Sequence, residues 1–449
     1  MVSQTPLQEL RLRDFRCFRE QQTARLAPLT LLVGENSTGK TSFLAAARAI
    51  LEVATCHWAP DFRSAPYDLG SFYEIVHHQR SGSRLGAESF SIGFQCAGFD
   101  SESIALEATF TLGEGAAPEL GRVEWRSGDV WIREVRNVQD SRTELGCTSG
   151  SWRLATSIGA PEQSVFHGAE ALAMEHVLLA AAENGLLDEL HPVQGDTRVV
   201  PTARDCKEFG KLYFEGGYFR SRAFAAAPVR SSPLRTYDPI RLSQHPEGLS
   251  MPAFLASVYA RDHEAWPQLK QRIEEFGHKS GLFDEIFVKR FGNHEFEPFQ
   301  LEVRRWGKKR KGARRNLIDV GYGVSQVLPL LVEMHRRDGD SLFLLQQPEV
   351  HLHPSAQAAL GSLFCSTAAS GRQLIVETHS EYIIDRVRMD IRDRETDLKP
   401  EDVSILFFER ADLDVHIHSL RFDEQGNLLD APDGYGQFFM DETRRSIGL

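Results

Sequence analysis

Near its N-terminus the chain reads PLTLLVGENSTGKTSFL over residues 28–44, and this segment restricts the fold more than any other. Gly34, Gly39, Lys40 and Thr41 have the spacing of a phosphate-binding P-loop, with Glu35, Asn36, Ser37 and Thr38 inside it and Ser42 just after. Such a loop works only between a buried strand and a helix. The apolar run Leu29–Val33 supplies the strand. Phe43, Ala46, Ala47, Ile50, Leu51 and Ala54 share one face of a helix. Glycines let backbone N–H groups curl around phosphate oxygens, and the helix start favours anions. Lys40 reaches the β- and γ-phosphates, and the Thr41 hydroxyl is placed for Mg²⁺. ATP and Mg²⁺ are the expected ligands.

The rest of the chain follows from periodicity. Residues 84–135 alternate apolar and polar in short runs, which predicts antiparallel strands. Residues 138–165 read as loops, 168–190 as a helix, 193–250 mostly as loop and 251–290 as helical. From 298 the pattern becomes strand, basic turn and strand, followed by alternating helix and strand to about 394 and a hairpin over 403–422. The expected division is 1–150, 151–310 (mainly helical) and 311–449.

Composition excludes several classes. No apolar run approaches the roughly 18 residues of a membrane span, and charges at Glu9, Arg11, Arg13 and Asp14 leave no signal core. A cytoplasmic protein without a membrane partner is expected. Six dispersed cysteines form no C-x-x-C pair, which argues against disulfides or a Cys-based zinc site. The net charge of −12 argues against general coating of nucleic acid but allows a local basic patch.

A second half-site is expected downstream. Ser341–Leu345 reads as a buried strand running into Gln346-Gln347-Pro348-Glu349-Val350-His351-Leu352-His353-Pro354. Gln373–Val376 is another, ending Glu377-Thr378-His379-Ser380. Gly321-Tyr322-Gly323-Val324-Ser325-Gln326 leads into a helix, with Pro329 expected near its first turn.

This order, with the opening LRLRDFRCFRE (10–20), resembles the ABC-type ATPase heads of the RecF-like, SMC-like and overcoming-lysogenization-defect (OLD) branch. The resemblance covers roughly 7–80 and 315–422 and implies an α/β head with an antiparallel β lobe and a helical insert. It implies that Gly321, Gly323, Ser325 and Gln326 contact ATP on the opposite subunit. It places Gln346 beside Mg²⁺ with Thr41, and Gln347, Glu349 and His379 in the catalytic region. The family has an acidic pair where this chain has Gln346 and Gln347. Glutamine positions water but takes no proton, so slow hydrolysis is expected, with Glu349 and Glu377 the nearest substitutes.

No acidic nuclease segment of TOPRIM type is expected after the head. The chain therefore resembles the stand-alone ATPase subunits of bacterial defence systems such as Septu and PARIS, which implies a homo-oligomer and a separate effector nuclease. A RecF-like DNA-repair clamp and a non-hydrolysing nucleotide-gated scaffold remain alternatives. Arg304–Arg315 carries eight basic residues in twelve, either a solvated hairpin or a contact for nucleic acid or an acidic partner. Arg230 and Arg235 flank Ser231-Ser232-Pro233 in a segment (226–237) common in the branch's bacterial members, as nucleotide sensors or structural ion pairs. His351, His353 and His379 are a weak metal signal.

Overall fold

The computed structural model describes residues 7–56, 59–78, 87–97, 103–136, 223–230, 232–238, 250–292, 297–336, 342–432 and 435, with backbone strands at 141–147 and 153–158. The expected helix at 168–190 lies outside the described residues. The chain forms two compact units, each assembled from separated segments. One comprises Met1–Leu26, Ala45–Ser221 and Glu409–Ile417, and the other Ala27–Leu44, Arg222–Phe408 and His418–Leu449.

The first unit holds an eight-stranded antiparallel sheet. Its strands are β1 (Leu7–Arg13), β2 (Gln22–Arg25), β4 (Ser89–Ala97), β5 (Ser103–Leu112), β6 (Pro118–Ser127), β7 (Val130–Arg136), β8 (Ser141–Cys147) and β9 (Arg153–Ile158). The order is β2-β1-β4-β5-β6-β7-β8-β9. In β5, Ile104, Leu106, Ala108 and Phe110 are buried while their neighbours are not, the period-2 pattern of a sheet with one covered face. Phe90 stacks on Phe110 with centroids 5.0 Å apart, and Phe62 meets Phe110 edge-on at 5.2 Å. β8 and β9 fall in the stretch expected to be loop. Cross-strand pairing of Ser141–Arg136 and Gly146–Arg153 extends the sheet through residues too polar to announce a strand.

The second unit holds most of a seven-stranded sheet, all but the 409–417 part of β16 and β17: β3 (Leu29–Gly34), β10 (Ala223–Ala226), β14 (Leu342–Gln346), β15 (Gln373–Glu377), β16 (Val403–Ala411), β17 (Asp414–Phe422) and β18 (Leu428–Leu429). The order is β10-β14-β15-β3-β16-β17-β18, and the first five strands run parallel. β3 and β15 are buried along their whole length, as a central parallel sheet requires. Among the described residues of the whole chain the α-helices are α1 (Lys40–Cys56), the short α2 (Phe72–Ile75), α3 (Met251–Arg261), α4 (Ala265–Ser280), α5 (Tyr322–His335), α6 (Pro354–Ala369) and α7 (Glu381–Arg392). Every residue of the expected α1 face is buried.

The expected helical stretch 251–290 ends early, because Gly281, with φ +72°, caps α4 and β11 (Glu285–Arg290) follows. β11 pairs with β12 (Phe299–Arg304), and β12 with β13 (Arg315–Asn316). Pro329 lies two turns into α5, past the first turn, where it removes a bond to the Ser325 carbonyl. Among the described residues no helix is long and apolar enough to cross a membrane. The architecture is the α/β head with an antiparallel β lobe that the motifs imply.

Candidate functional site

β3 delivers the P-loop from the centre of the sheet, flanked by β15 and β16. Gly34 is obligatory here: its φ is +147°, and a Cβ would lie 2.6 Å from the Phe408 carbonyl oxygen. Gly39 has φ +85°, and Ser37 occupies the left-handed region at φ +62°. A non-glycine held there is strain of the kind that gathers at ligand sites. The Lys40 ammonium donates to the carbonyls of Gly34 at 2.9 Å and Glu35 at 2.6 Å, so it lies back over its own loop. Burial pushes its pKa down, opposed by Glu377 and Glu35. Glu35, Asn36 and Ser37 are exposed, whereas Thr38 is buried with its hydroxyl donating to Glu35 O at 2.8 Å.

Three strands converge on Thr41. Gln346 at the end of β14 stands beside Glu377 at the end of β15 in parallel register. The Gln346 amide donates to the Thr41 hydroxyl at 2.9 Å, and that hydroxyl donates to the Glu377 carboxylate at 2.9 Å. Gln347 follows with φ +41°, its backbone N–H donating to Glu377 O at 2.9 Å and its side chain hydrogen-bonded to the same carboxylate. Burial raises the Glu377 pKa, while Thr41, Lys40 and Gln347 pull it down. The carboxylate beside Thr41 therefore comes from β15 and not from the Gln346-Gln347 pair.

Glu349 is buried. One oxygen accepts from the His379 backbone N–H at 2.8 Å. Its pKa is raised, first by burial and also by Glu377, against hydrogen bonds from the His379 amide and the Thr378 side chain. His379 itself is exposed, and partial desolvation followed by Lys40 lowers its pKa, which favours the neutral ring.

The start of α5 divides in two. Gly321 and Tyr322 are exposed, and a Cβ on Gly321 would meet nothing within 4 Å. Gly323, Ser325 and Gln326 turn inward. A Cβ on Gly323 would lie 3.0 Å from the His351 carbonyl oxygen. The Ser325 hydroxyl donates to Tyr322 O at 2.7 Å. Gln326 is fully buried, its amide oxygen accepting from Arg230 N at 2.9 Å and its NH₂ donating to Arg230 O at 3.2 Å. The side chains of Ser325 and Gln326 are thus engaged within this chain, and the outward face is Gly321–Tyr322.

The remaining sequence candidates separate cleanly. Arg235 makes a bidentate pair with Asp319 at 3.0 and 2.6 Å, and because both groups are exposed, solvent screens it. Arg230 is deeply buried, and desolvation lowers its pKa to about 10 despite Glu349. His353 caps α6, accepting from Ser355 N at 3.3 Å, and His351 meets the Tyr322 ring edge-on at 5.0 Å with φ +67°. Among the described residues no group of three or more His, Cys, Asp or Glu gathers as a metal site. The closeness of Glu377 to Thr41 and of Gln326 to Arg230 depends on strand order and loop docking. Its only sequence signal is a charge at the end of a buried strand.

Basic residues at 304–315 fall into two groups. Arg304, Lys311 and the Trp306 indole N–H all donate to Glu285, which holds its pKa down to about 2. Arg314 lies 3.8 Å over the Phe287 ring. Lys308, Lys309 and Arg310 occupy an exposed tight turn closed by Gly307 N–H donating to Arg310 O at 2.9 Å.

Residues 219–385 match a family model described as "AAA domain, putative AbiEii toxin, Type IV TA system". A comparison with curated proteins returns no match. Among solved structures the chain is similar to an SMC head bound to the C-winged helix domain of ScpA, at 11% identity and TM-score 0.45, covering 93% of this chain and 98% of that one. It is also similar to a Pyrococcus furiosus SMC head with an extended coiled coil bound to the C-terminal domain of ScpA (12%, TM-score 0.44, covering 98% and 100%). A third is the SMC head domain from Thermotoga maritima (11%, TM-score 0.37, covering 92% and 98%).

Proposed function

We propose that this chain is an ATP-binding, slowly hydrolysing ABC-type ATPase. In this reading, heads pair when ATP is bound, and the pair scaffolds or regulates a separate effector, a nuclease, in bacterial anti-phage defence. The observation that carries the ATPase reading is the Gln346–Thr41–Glu377 chain of hydrogen bonds beside Lys40. It joins the P-loop to two further strand ends, which is where a nucleotide's phosphates and their counter-ion need groups.

The donor set fits Mg²⁺: a hydroxyl, a carboxylate and an amide oxygen are hard ligands. Thr41, Glu377 and a reoriented Gln346 amide would hold the ion, which neutralises phosphate charge. Lys40 and the P-loop amides bind the phosphates. With Gln346 and Gln347 unable to take a proton, Glu349 and Glu377 are the acids near the site, and both are buried with raised pKa values. His379 is held through its backbone N–H by Glu349.

Pairing is supported by the exposed, unobstructed Gly321–Tyr322 face at the start of α5. The AbiEii-type family match over 219–385 is consistent with a defence context. A RecF-like clamp acting on DNA is the second reading, favoured by the exposed Lys308–Arg310 turn, which also suits an acidic protein partner.

The deciding experiment measures ATP affinity and single-turnover hydrolysis for the parent and Lys40→Ala, with thermal melting as a folding control. Slow turnover in the parent is expected. Loss of two charge-assisted hydrogen bonds should weaken binding by at least roughly tenfold in the folded variant. Equal ATP affinity in the two proteins would overturn the reading.

A further inference from the structure

The turn that follows β14 rests directly on the start of α5. Two overlapping hydrogen bonds close it, Val350 N–H to Gln347 O at 3.3 Å and Leu352 N–H to Glu349 O at 3.0 Å. His351 stands at the third position of the second of these turns with φ +67°, a place that glycine or asparagine fills at least cost. A bulkier residue there marks a conformation held by its surroundings. Those surroundings include two residues of α5. The Tyr322 ring meets the His351 ring edge-on with centroids 5.0 Å apart. A Cβ on Gly323 would lie 3.0 Å from the His351 carbonyl oxygen and 3.1 Å from Leu352 Cδ2, so glycine is what lets the helix come this close without pushing the turn aside.

The same turn carries groups of the candidate site. Just before it, the Gln346 amide donates to the Thr41 hydroxyl, and the Gln347 N–H donates to Glu377 O. Within it, Glu349 accepts from the His379 backbone N–H at 2.8 Å, 30 positions along the chain. Tyr322 is 37% exposed and belongs to the outward face of α5. The turn therefore touches both that face and the residues around Thr41.

We propose that His351 is a positioning residue: by keeping the turn seated on Tyr322 and Gly323 it fixes Gln346, Gln347 and the His379 loop for hydrolysis, and a second copy of this chain docking at Tyr322 acts on those groups through it. The proposal rests on the reading of this chain as an ATPase whose heads pair. It gives the imidazole a role by contact, with no proton transferred. It also gives Gly323 a role distinct from that of Gly321: the first admits the turn, the second leaves room for a partner.

The test uses the full chain with His351→Asn, which suits the left-handed turn but lacks the ring, with Gly323→Ala, with Tyr322→Ala and with the Tyr322→Ala/His351→Asn double variant. Hydrogen exchange without nucleotide reads the positioning directly. The His379 amide should exchange at least roughly tenfold faster in His351→Asn and in Gly323→Ala, although neither residue bonds it, while the melting temperature of His351→Asn stays close to the parent's. With ATP, His351→Asn is expected to lower kcat by roughly tenfold or more, with KM within about twofold. Turnover per head should rise with protein concentration in the parent and stay flat in His351→Asn. Adding Tyr322→Ala to His351→Asn should cost little further rate, because each removes the same contact.

Exchange at His379 that is unchanged in both His351→Asn and Gly323→Ala overturns the proposal, whether or not the parent hydrolyses ATP. So does an unchanged kcat in folded His351→Asn, and so do rate losses of Tyr322→Ala and His351→Asn that multiply. If Gly323→Ala does not fold, His351→Asn with and without Tyr322→Ala makes the same comparison. A parent that hydrolyses nothing sinks the ATPase reading alone, because exchange at His379 still reports whether the turn positions it.

Discussion

The Thr41 hydroxyl donates to the Glu377 carboxylate at 2.9 Å, joining the first residue after the P-loop lysine to a strand end 336 positions later. Burial raises the Glu377 pKa above its ordinary 4.5. A carboxyl raised in the folded state contributes stability below its unfolded pKa and loses it as pH rises through the folded value. Glu377→Gln escapes that loss. Without nucleotide or divalent cations, its melting temperature relative to the parent should climb as pH rises above the ordinary carboxylate value of 4.5, while hydrolysis disappears. A difference that stays flat or falls over this range contradicts the assignment.

The two glutamines should respond differently to restored acid. The Gln346 amide touches Thr41, whereas Gln347 hydrogen-bonds the Glu377 carboxylate. Gln346→Glu supplies a second acid on the cation side and is expected to raise single-turnover hydrolysis. Gln347→Glu sets like charges together, so its gain should be smaller. The full effect of a general base is about 10²–10⁴, which bounds both increases. Equal rates for the parent and both variants would assign the proton transfer to Glu349 or Glu377.

Head pairing can be tested without disturbing the core. Gly321 has ordinary φ, and a Cβ there meets nothing within 4 Å. Gly321→Arg should leave melting within a few tenths of a kcal/mol of the parent and abolish ATP-dependent pairing in light scattering. Ser325→Arg should unfold the start of α5, since Ser325 is buried and its hydroxyl bonds Tyr322 O. Normal pairing of Gly321→Arg contradicts the pairing face.

The basic stretch yields a paired prediction. Replacing Lys308, Lys309 and Arg310 with Ser should leave stability unchanged but weaken binding to DNA or an acidic partner, with steep salt dependence if phosphates are bound. Replacing Arg304 or Lys311 should instead cost stability, because both anchor to Glu285. Binding that ignores the triple substitution at low salt makes the turn a solvated hairpin.

Motif spacing located the P-loop, the strands ending at Gln346 and Glu377, and the helix starting near Gly321, since each follows from local periodicity and turn chemistry. It misplaced Pro329, because α5 starts at Tyr322 and accepts a proline two turns in. It missed β8 and β9, whose polar residues pair only because β7 offers an edge. The partners of Arg230 and Glu377 were illegible for another reason. Gln326 lies 96 positions from Arg230, and nothing local to either residue encodes that they meet.

β3 lies between β15 and β16, so Leu29 has neither neighbour until Leu374 and Val403 have been made. On the ribosome, at about 5–20 residues per second, the phosphate loop therefore emerges tens of seconds before any sheet exists to hold it. Throughout that interval its apolar strand is an unpaired edge-forming segment that needs shielding. A product truncated before Leu374 would therefore carry the phosphate loop on a strand that lacks both of its sheet neighbours.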